Sequence, residues 1–261
     1  MTSLELLLGA IIGLIMAVTG AGGGVIGVPL LVLAGGLTMQ EAIPISMMAV
    51  ALAAMLGSGI GLSKGLVRYR AAILIAALGS VLSPLGLWVA HQINSQWLQM
   101  VFAILLILVA IRGFQKEVVQ ESLHVPCIRH AESGRFKWTS PCAAMLAGTG
   151  ALAGFMAGLL GVGGGFVIVP ALMRYTDLDM SSVIATSLTV MAVIALCVMI
   201  TAIASDRMDI SLGLTFGAGA IIGLLVGNQV SERMNKAQVQ KAFGVLLLVV
   251  AVVMASKSLL H

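Results

Sequence analysis

The sequence predicts an all-α polytopic membrane protein: two homologous halves of four apolar segments each, with segments 1 and 5 broken at Gly-x-Gly-Gly-Gly motifs. Three observations carry that expectation. The first is composition. Of 261 residues, 60% are hydrophobic and 9% are charged, and the mean hydropathy is +1.12. A soluble domain carries roughly 25% charged residues, so this chain lacks the polar groups to cover a water-facing surface. Its 31 glycines suit membrane helices that approach one another closely, and the alternating pattern of a β-barrel is absent.

The second observation is self-similarity. Shifted by 141 residues, the chain aligns with itself without a gap. Gly13 meets Gly154, Gly20 meets Gly161, and Gly22–Gly24 meet Gly163–Gly165. Pro29 meets Pro170, Ser46 meets Ser187, Gly86 meets Gly227 and Asn94 meets Asn235. Matches at Gly, Pro, Ser and Asn do not follow from apolar composition. They divide the chain into an N-terminal membrane repeat (1–113), a polar linker (114–142) and a C-terminal membrane repeat (143–261). An internal duplication of this kind is typical of transporters, and some channels share it.

The third is block length. The first half has apolar blocks at 4–36, 42–63, 71–90 and 97–111, and the second at 145–174, 182–204, 210–230 and 239–255. A helix needs about 20 residues to cross the hydrocarbon. The second and third blocks of each half fit, the fourth is short, and the first is overlong and divided by glycines. The N-terminus, MTSLELLLGA, has Glu5 and no Lys or Arg, so it does not read as a signal peptide and the first block is expected to remain.

Loop charge bears on orientation, because Lys and Arg favour the cytoplasmic side. If every block crosses once, ten basic residues share one side and four the other, and the halves are parallel. If blocks one and five return to the side they entered from, the split is twelve to two, with only Arg207 and Lys257 apart. The second arrangement is favoured. It makes the halves an inverted repeat, with the linker cytoplasmic and both termini periplasmic, in a bacterial inner membrane. The net charge of +4 therefore reflects orientation and not a nucleic-acid partner.

The glycine runs are where chemistry is expected. Glycine costs a helix interior about 1 kcal/mol relative to Ala. Broken backbone inside a membrane is tolerated only within protein or beside a water-filled cavity. Helices starting at the glycines present unpaired N–H groups and a positive dipole end, and without side chains an anion can approach that backbone. Candidate substrate-binding residues are Thr19, Gly20, Gly22, Gly23, Gly24 and Pro29 in the first motif. Gly161, Gly163, Gly164, Gly165 and Pro170 form the second. Ser46, Thr186, Ser187, Asn228 and Gln229 are polar groups able to complete a site. Close helix packing is the competing explanation for the glycines, bonding to their own helix for the hydroxyls, and an interfacial place near Glu232 and Arg233 for the two amides.

No Asp or Glu falls mid-block, which disfavours a buried carboxylate relay or an organic-cation site and suits an anion path. Cys127, Cys142 and Cys197 are an odd count without framework spacing, so no structural disulfide is expected. His124, Cys127, His130 and Cys142 match no strong zinc pattern, and neither metal nor cofactor is expected.

The duplicated GxGGGxxxVP motifs at 20–29 and 161–170, four blocks per half and a polar central loop resemble the sulfite exporter TauE/SafE family, also called the toluene-sulfonate uptake permease family. The resemblance covers almost the whole chain. It implies a transporter, and no enzyme, for sulfur-containing and organic anions such as sulfite, sulfoacetate and related sulfonates. The expected function is an inner-membrane secondary transporter, an exporter, working by alternating access between the repeats. An anion channel without alternating access is the alternative. The expected partners are the anion and the bilayer; association of copies of the chain is left open. An intramembrane serine enzyme rests only on Ser58 in LGSGIG, and nothing places His91 opposite it.

Overall fold

In lipid, backbone polar groups have no water to bond, so long apolar runs close into helices. The computed structural model describes residues 2–19, 23–114, 127, 139–206, 208–231 and 236–260. Among them are ten helices and no strand. The first half contributes α1 (Thr2–Thr19), α2 (Gly23–Leu33), α3 (Met39–Ser63), α4 (Tyr69–Gln92) and α5 (Ser95–Phe114). The second contributes α6 (Ser140–Leu160), α7 (Gly165–Tyr175), α8 (Met180–Ala204), α9 (Ile210–Ser231) and α10 (Lys236–Leu260). Helices α3, α4, α6, α8 and the stretch Ile210–Gly227 of α9 are long and apolar enough to span a membrane. Each overlong block is two helices, so four blocks per half become five helices.

Local sequence explains the ends. Helix α3 starts with a capping box: Thr38 accepts from the Glu41 amide while Glu41 reaches back to the Thr38 amide. Thr139 caps α6, with Pro141 in its first turn. Asp179 caps α8 through the Ser182 amide.

Close crossings set the packing. On α1 and α9, a methyl group at Gly13 would strike the Ala220 carbonyl, and one at Gly223 the Ala10 carbonyl. On α4 and α6, Gly154 lies against the Gly79 carbonyl and Gly158 against the Ser83 carbonyl. Only small residues let membrane helices approach so closely. These contacts fix chain direction. Leu6 meets Gly219, Gly13 meets Leu224 and Leu14 meets Gly227, so α1 and α9 run parallel. Likewise Ile75 meets Gly150 and Leu87 meets Gly158, so α4 and α6 are parallel. Helix α3 follows α9, since Met48 meets Gly213 and Leu52 meets Gly217. It opposes α8, since Ser58 meets Thr189 and Gly61 meets Ala185. Helix α8 follows α4: the Arg68 amide bonds Thr186 and the Cys197 thiol bonds the Ser80 carbonyl.

Two sets result. Helices α1, α3 and α9 run one way, and α4, α6 and α8 the other. Because α1 and α3 share a direction, the chain must come back through α2; the same holds for α6, α7 and α8. The α3–α4 turn, the first turn of α6 and the end of α7 therefore gather at one end of the molecule, here the linker end. Glu5, the start of α3, His91 and the α8–α9 turn gather at the other. There Thr215 donates to Glu5 at 3.1 Å and Gln40 donates to the Ile93 carbonyl at 2.9 Å. Helix α3 lies at the centre, with Met39, Ile43, Met47 and Val50 fully buried.

One expectation is overturned at the linker end. Cys127 and Cys142 form a disulfide across a sequence separation of 15. The odd cysteine is Cys197, which is free. Count and spacing along the chain do not reveal that the start of α6 and residue 127 meet in space.

Candidate functional site

The second glycine run lies within the described residues and makes an abrupt break. Helix α6 ends at Leu160, with Gly161 as its left-handed cap (φ +70°). Gly163 (φ +71°) and Gly164 (φ +74°) are also left-handed. A residue with a Cβ loses roughly 1–2 kcal/mol at each such position, which accounts for glycine at three of four places. Helix α7 then starts at Gly165, and its N-cap, Gly164, supplies no side-chain bond. The amides of Val167 and Ile168 both bond the Gly164 carbonyl. Those of Gly163, Gly164 and Gly165 have no backbone acceptor among the described residues. Donors without a backbone acceptor among the described residues, placed at a helix N-terminus, form an anion-attracting point.

Both halves surround this point. Gly161 packs against Val28 of α2 and Ile43 of α3. A Cβ at Gly24 would sit 2.8 Å from the Val162 carbonyl, so the start of α2 touches the second break directly. Ser46 donates to the Gly161 carbonyl at 3.4 Å, and Gly27 lies against Ser46. Gly163 meets Val50 and Met191, and Gly164 meets Ala153. Ser187, fully buried, points its hydroxyl at the Met191 sulfur, 3.8 Å away. The structure thus groups Gly24, Ser46, Gly161, Gly163, Gly164, Gly165 and, through Met191, Ser187.

Other candidates lie elsewhere. Thr186 is buried but accepts from the Arg68 amide at 3.1 Å, toward the linker end. Gln229 is exposed late in α9. Pro29 and Pro170 sit inside α2 and α7 and not at the breaks. There each removes an amide from the helix ladder, and Pro29 is buried while Pro170 is exposed. Gly20, Gly22 and the side chains of Thr19 and Asn228 lie outside the described residues; Gly23 is the first residue of α2. Ser58 bonds Thr189 at 2.9 Å, while His91 bonds the Leu87 carbonyl near the opposite end, so the two form no pair.

A cavity of about 590 Å³ opens at the end opposite the linker, beside Thr38, Gln40, Glu41, His91, Asp206 and Asp209. None of the sequence-derived site residues lines it. Three carboxylates repel an anion, so its chemistry differs from that of the break. It escaped the sequence reading because its acids come from separate block ends that only folding unites. Asp206 turns the chain there at φ +52°.

The family model "Sulfite exporter TauE/SafE" matches residues 5–254. A protein of Xylella fastidiosa strain 9a5c named "Probable membrane transporter protein" is 27% identical over 247 residues, covering 94% of this chain and 91% of that one. Its counterpart in strain Temecula1, with the same name, is 27% identical over 248 residues, with the same coverage. No solved structure matches the chain.

Proposed function

Because the chain belongs to the sulfite exporter TauE/SafE family and is thus a multi-pass membrane transporter, we propose that it carries small sulfur-containing or organic anions, sulfite or sulfonates, outward across a bacterial inner membrane. The family is one of transporters, and no residue is assigned a catalytic role. One observation supports the anion class above others. The start of α7 holds three backbone amides without a backbone acceptor among the described residues, and the start of α2 packs onto the same place. Backbone N–H groups at a helix start attract negative charge without a basic side chain. Transporters bind anions at such discontinuous helices near the midplane.

The mechanism follows from the proposed symmetry. The halves act as an inverted repeat, a reading supported by the opposed directions of the matched helices α3 and α8, and of α1 and α6. The crossing of α1 with α9 has its counterpart, 141 residues on, in that of α6 with α4. Alternating access then comes from one hairpin, α1–α2 or α6–α7, shifting against the opposite half and opening the break to one side at a time. The linker end faces the cytoplasm and both termini face the periplasm. The twelve-to-two division of Lys and Arg supports that orientation.

Purified protein in liposomes should give saturable sulfite or sulfonate flux that is accelerated by the same anion on the far side. Flux without counterflow would make the protein a channel. No flux for any small anion would sink the anion reading. Gly164→Leu should abolish flux in protein that still folds, because a side chain there presses on Ala153 of α6 and distorts the turn that presents the amides.

A further inference from the structure

The disulfide ties together more than two cysteines. Cys142 lies in the first turn of α6, and Cys127 is the single described residue between 115 and 138. The Cys127 amide donates to the Tyr175 carbonyl at 3.2 Å, and its backbone pairs with Thr176 as an isolated bridge. Tyr175 ends α7. One residue is therefore bound covalently to the start of α6 and through its backbone to the end of α7. Those are the two open ends of the hairpin whose tip is the break at 161–164. Both cysteines are fully buried. The first half of the chain contains no cysteine, so the α1–α2 hairpin has no such tie.

We infer that Cys127–Cys142 is a reversible redox-modification site, opened by dithiol reductants, that sets how freely the α6–α7 hairpin moves. The inference rests on the proposed orientation. A disulfide at a cytoplasmic face meets a reducing thiol pool, and cytosolic disulfides are characteristically transient or redox-sensing. The exchange balances as follows. A reductant thiolate attacks one cysteine sulfur, forms a mixed disulfide and releases the other cysteine as a thiolate. The reductant's second thiol then displaces the remaining cysteine. Two electrons and two protons end on Cys127 and Cys142, and the reductant leaves as its own disulfide. An oxidised dithiol runs the exchange backwards. Closed, the bond holds residue 127 across the hairpin's base. Open, only backbone bonds hold it there, and α7 can shift against α6.

The test uses the full-length protein carrying Cys197→Ser, so that only the pair reacts with thiol reagents. In membranes from growing cells, acid-quenched and then denatured so that the buried pair is accessible, mass-tagged maleimide should label both cysteines. Diamide should remove that labelling, and dithiothreitol added after the diamide is washed out should restore it. A pair that is oxidised in every condition, or that diamide never closes, overturns the inference. In detergent, hydrogen exchange across residues 161–176 should be at least about fivefold faster in the reduced protein, the low end of two-state coupling. Equal exchange overturns it too. Cys127→Ser should behave as the reduced form whether or not diamide is present; a response to diamide would count against the site. These readouts do not depend on transport, so loss of the anion reading leaves them intact. Where anion counterflow is measurable, it should be about fivefold faster after reduction, and unchanged counterflow with a switching pair would remove the control of movement.

Discussion

The two glycine-tipped hairpins share a motif and differ in nearly everything around it. Helix α2 is buried from Gly24 through Pro29 and carries no charge. It packs between α1 and α3 and also touches α10. Helix α7 has Pro170 exposed, Phe166, Val167 and Val169 half-buried, and Arg174 in its last turn. Its neighbours are α6 and α8, and its base is tied by a disulfide that the first hairpin lacks. A core helix has many contacts to break before it moves; a peripheral one has few. The two hairpins share a sequence motif, while packing covers α2 and leaves α7 half-exposed, which makes α7 the better candidate for the moving part of the proposed mechanism.

Matched substitutions break that comparison most strongly at the tips. Alanine at Gly24 places its Cβ 2.8 Å from the Val162 carbonyl, and alanine at Gly164 places it 2.9 Å from the Ala153 carbonyl. The overpacking is alike, of order 1–3 kcal/mol in each. Only Gly164 is left-handed, at φ +74°, which adds about 1–2 kcal/mol. Gly164→Ala should therefore unfold several degrees below Gly24→Ala in a detergent melt. Equal melting temperatures would mean that the second tip relaxes out of its left-handed turn at little cost, and would strengthen the case that it is mobile.

A smaller effect separates the matched serines. Ser46 satisfies the Gly161 carbonyl, while the hydroxyl of Ser187 is directed at the Met191 thioether. Ser46→Ala should cost about 1 kcal/mol, the net value of one hydrogen bond plus an unmet acceptor. A thioether is a weak acceptor, so Ser187→Ala should stay within about 0.5 kcal/mol. If Ser187→Ala costs as much as Ser46→Ala, the hydroxyl has a stronger partner than the Met191 thioether.

The legible and illegible parts of the molecule divide along the same line. Helix interruption is a local property of Gly-Gly-Gly, so the ends of α6 and α7 follow from residues 161–165 alone. Chain return through α7 was readable indirectly, since it places Arg174 with the other basic loops. Burial of Pro29 and exposure of Pro170 were not readable, because a copied motif says nothing about which neighbours cover it. The tie between Cys127 and Cys142 was hidden for a related reason. A polar linker has no periodicity to fix where residue 127 lies, and a count of three cysteines argues against pairing until space is known. Thr186 read as a site residue because it adjoins Ser187 in sequence; its hydroxyl belongs to the Arg68 turn.

The smallest expected difference lies in the caps of the two central helices, Thr38 on α3 and Asp179 on α8. Thr38 does not titrate. Asp179 does, and its carboxyl is lowered from 3.8 to about 2. The hydrogen bond from the Ser181 hydroxyl, at 2.6 Å, is the main cause; the Ser182 hydroxyl and amide add to it, and partial burial opposes it. The folded value lies below the unfolded one, so the ionised cap contributes stability above about pH 4, and that contribution is lost as pH falls toward 2. The side chain is exposed, so water screens the effect and keeps it small. Asp179→Asn should be less stable than the parent at pH 5, with the gap narrowing steadily as pH falls from about 4 toward 2. Thr38→Ala should cost about 1 kcal/mol at pH 5, the usual value of an N-cap. A pH-independent gap for Asp179→Asn would mean that the serines serve the protonated carboxyl as well as the carboxylate. The α8 cap would then act through hydrogen bonds whose strength does not depend on its charge, and the two ends of the molecule would be more alike than their charges suggest.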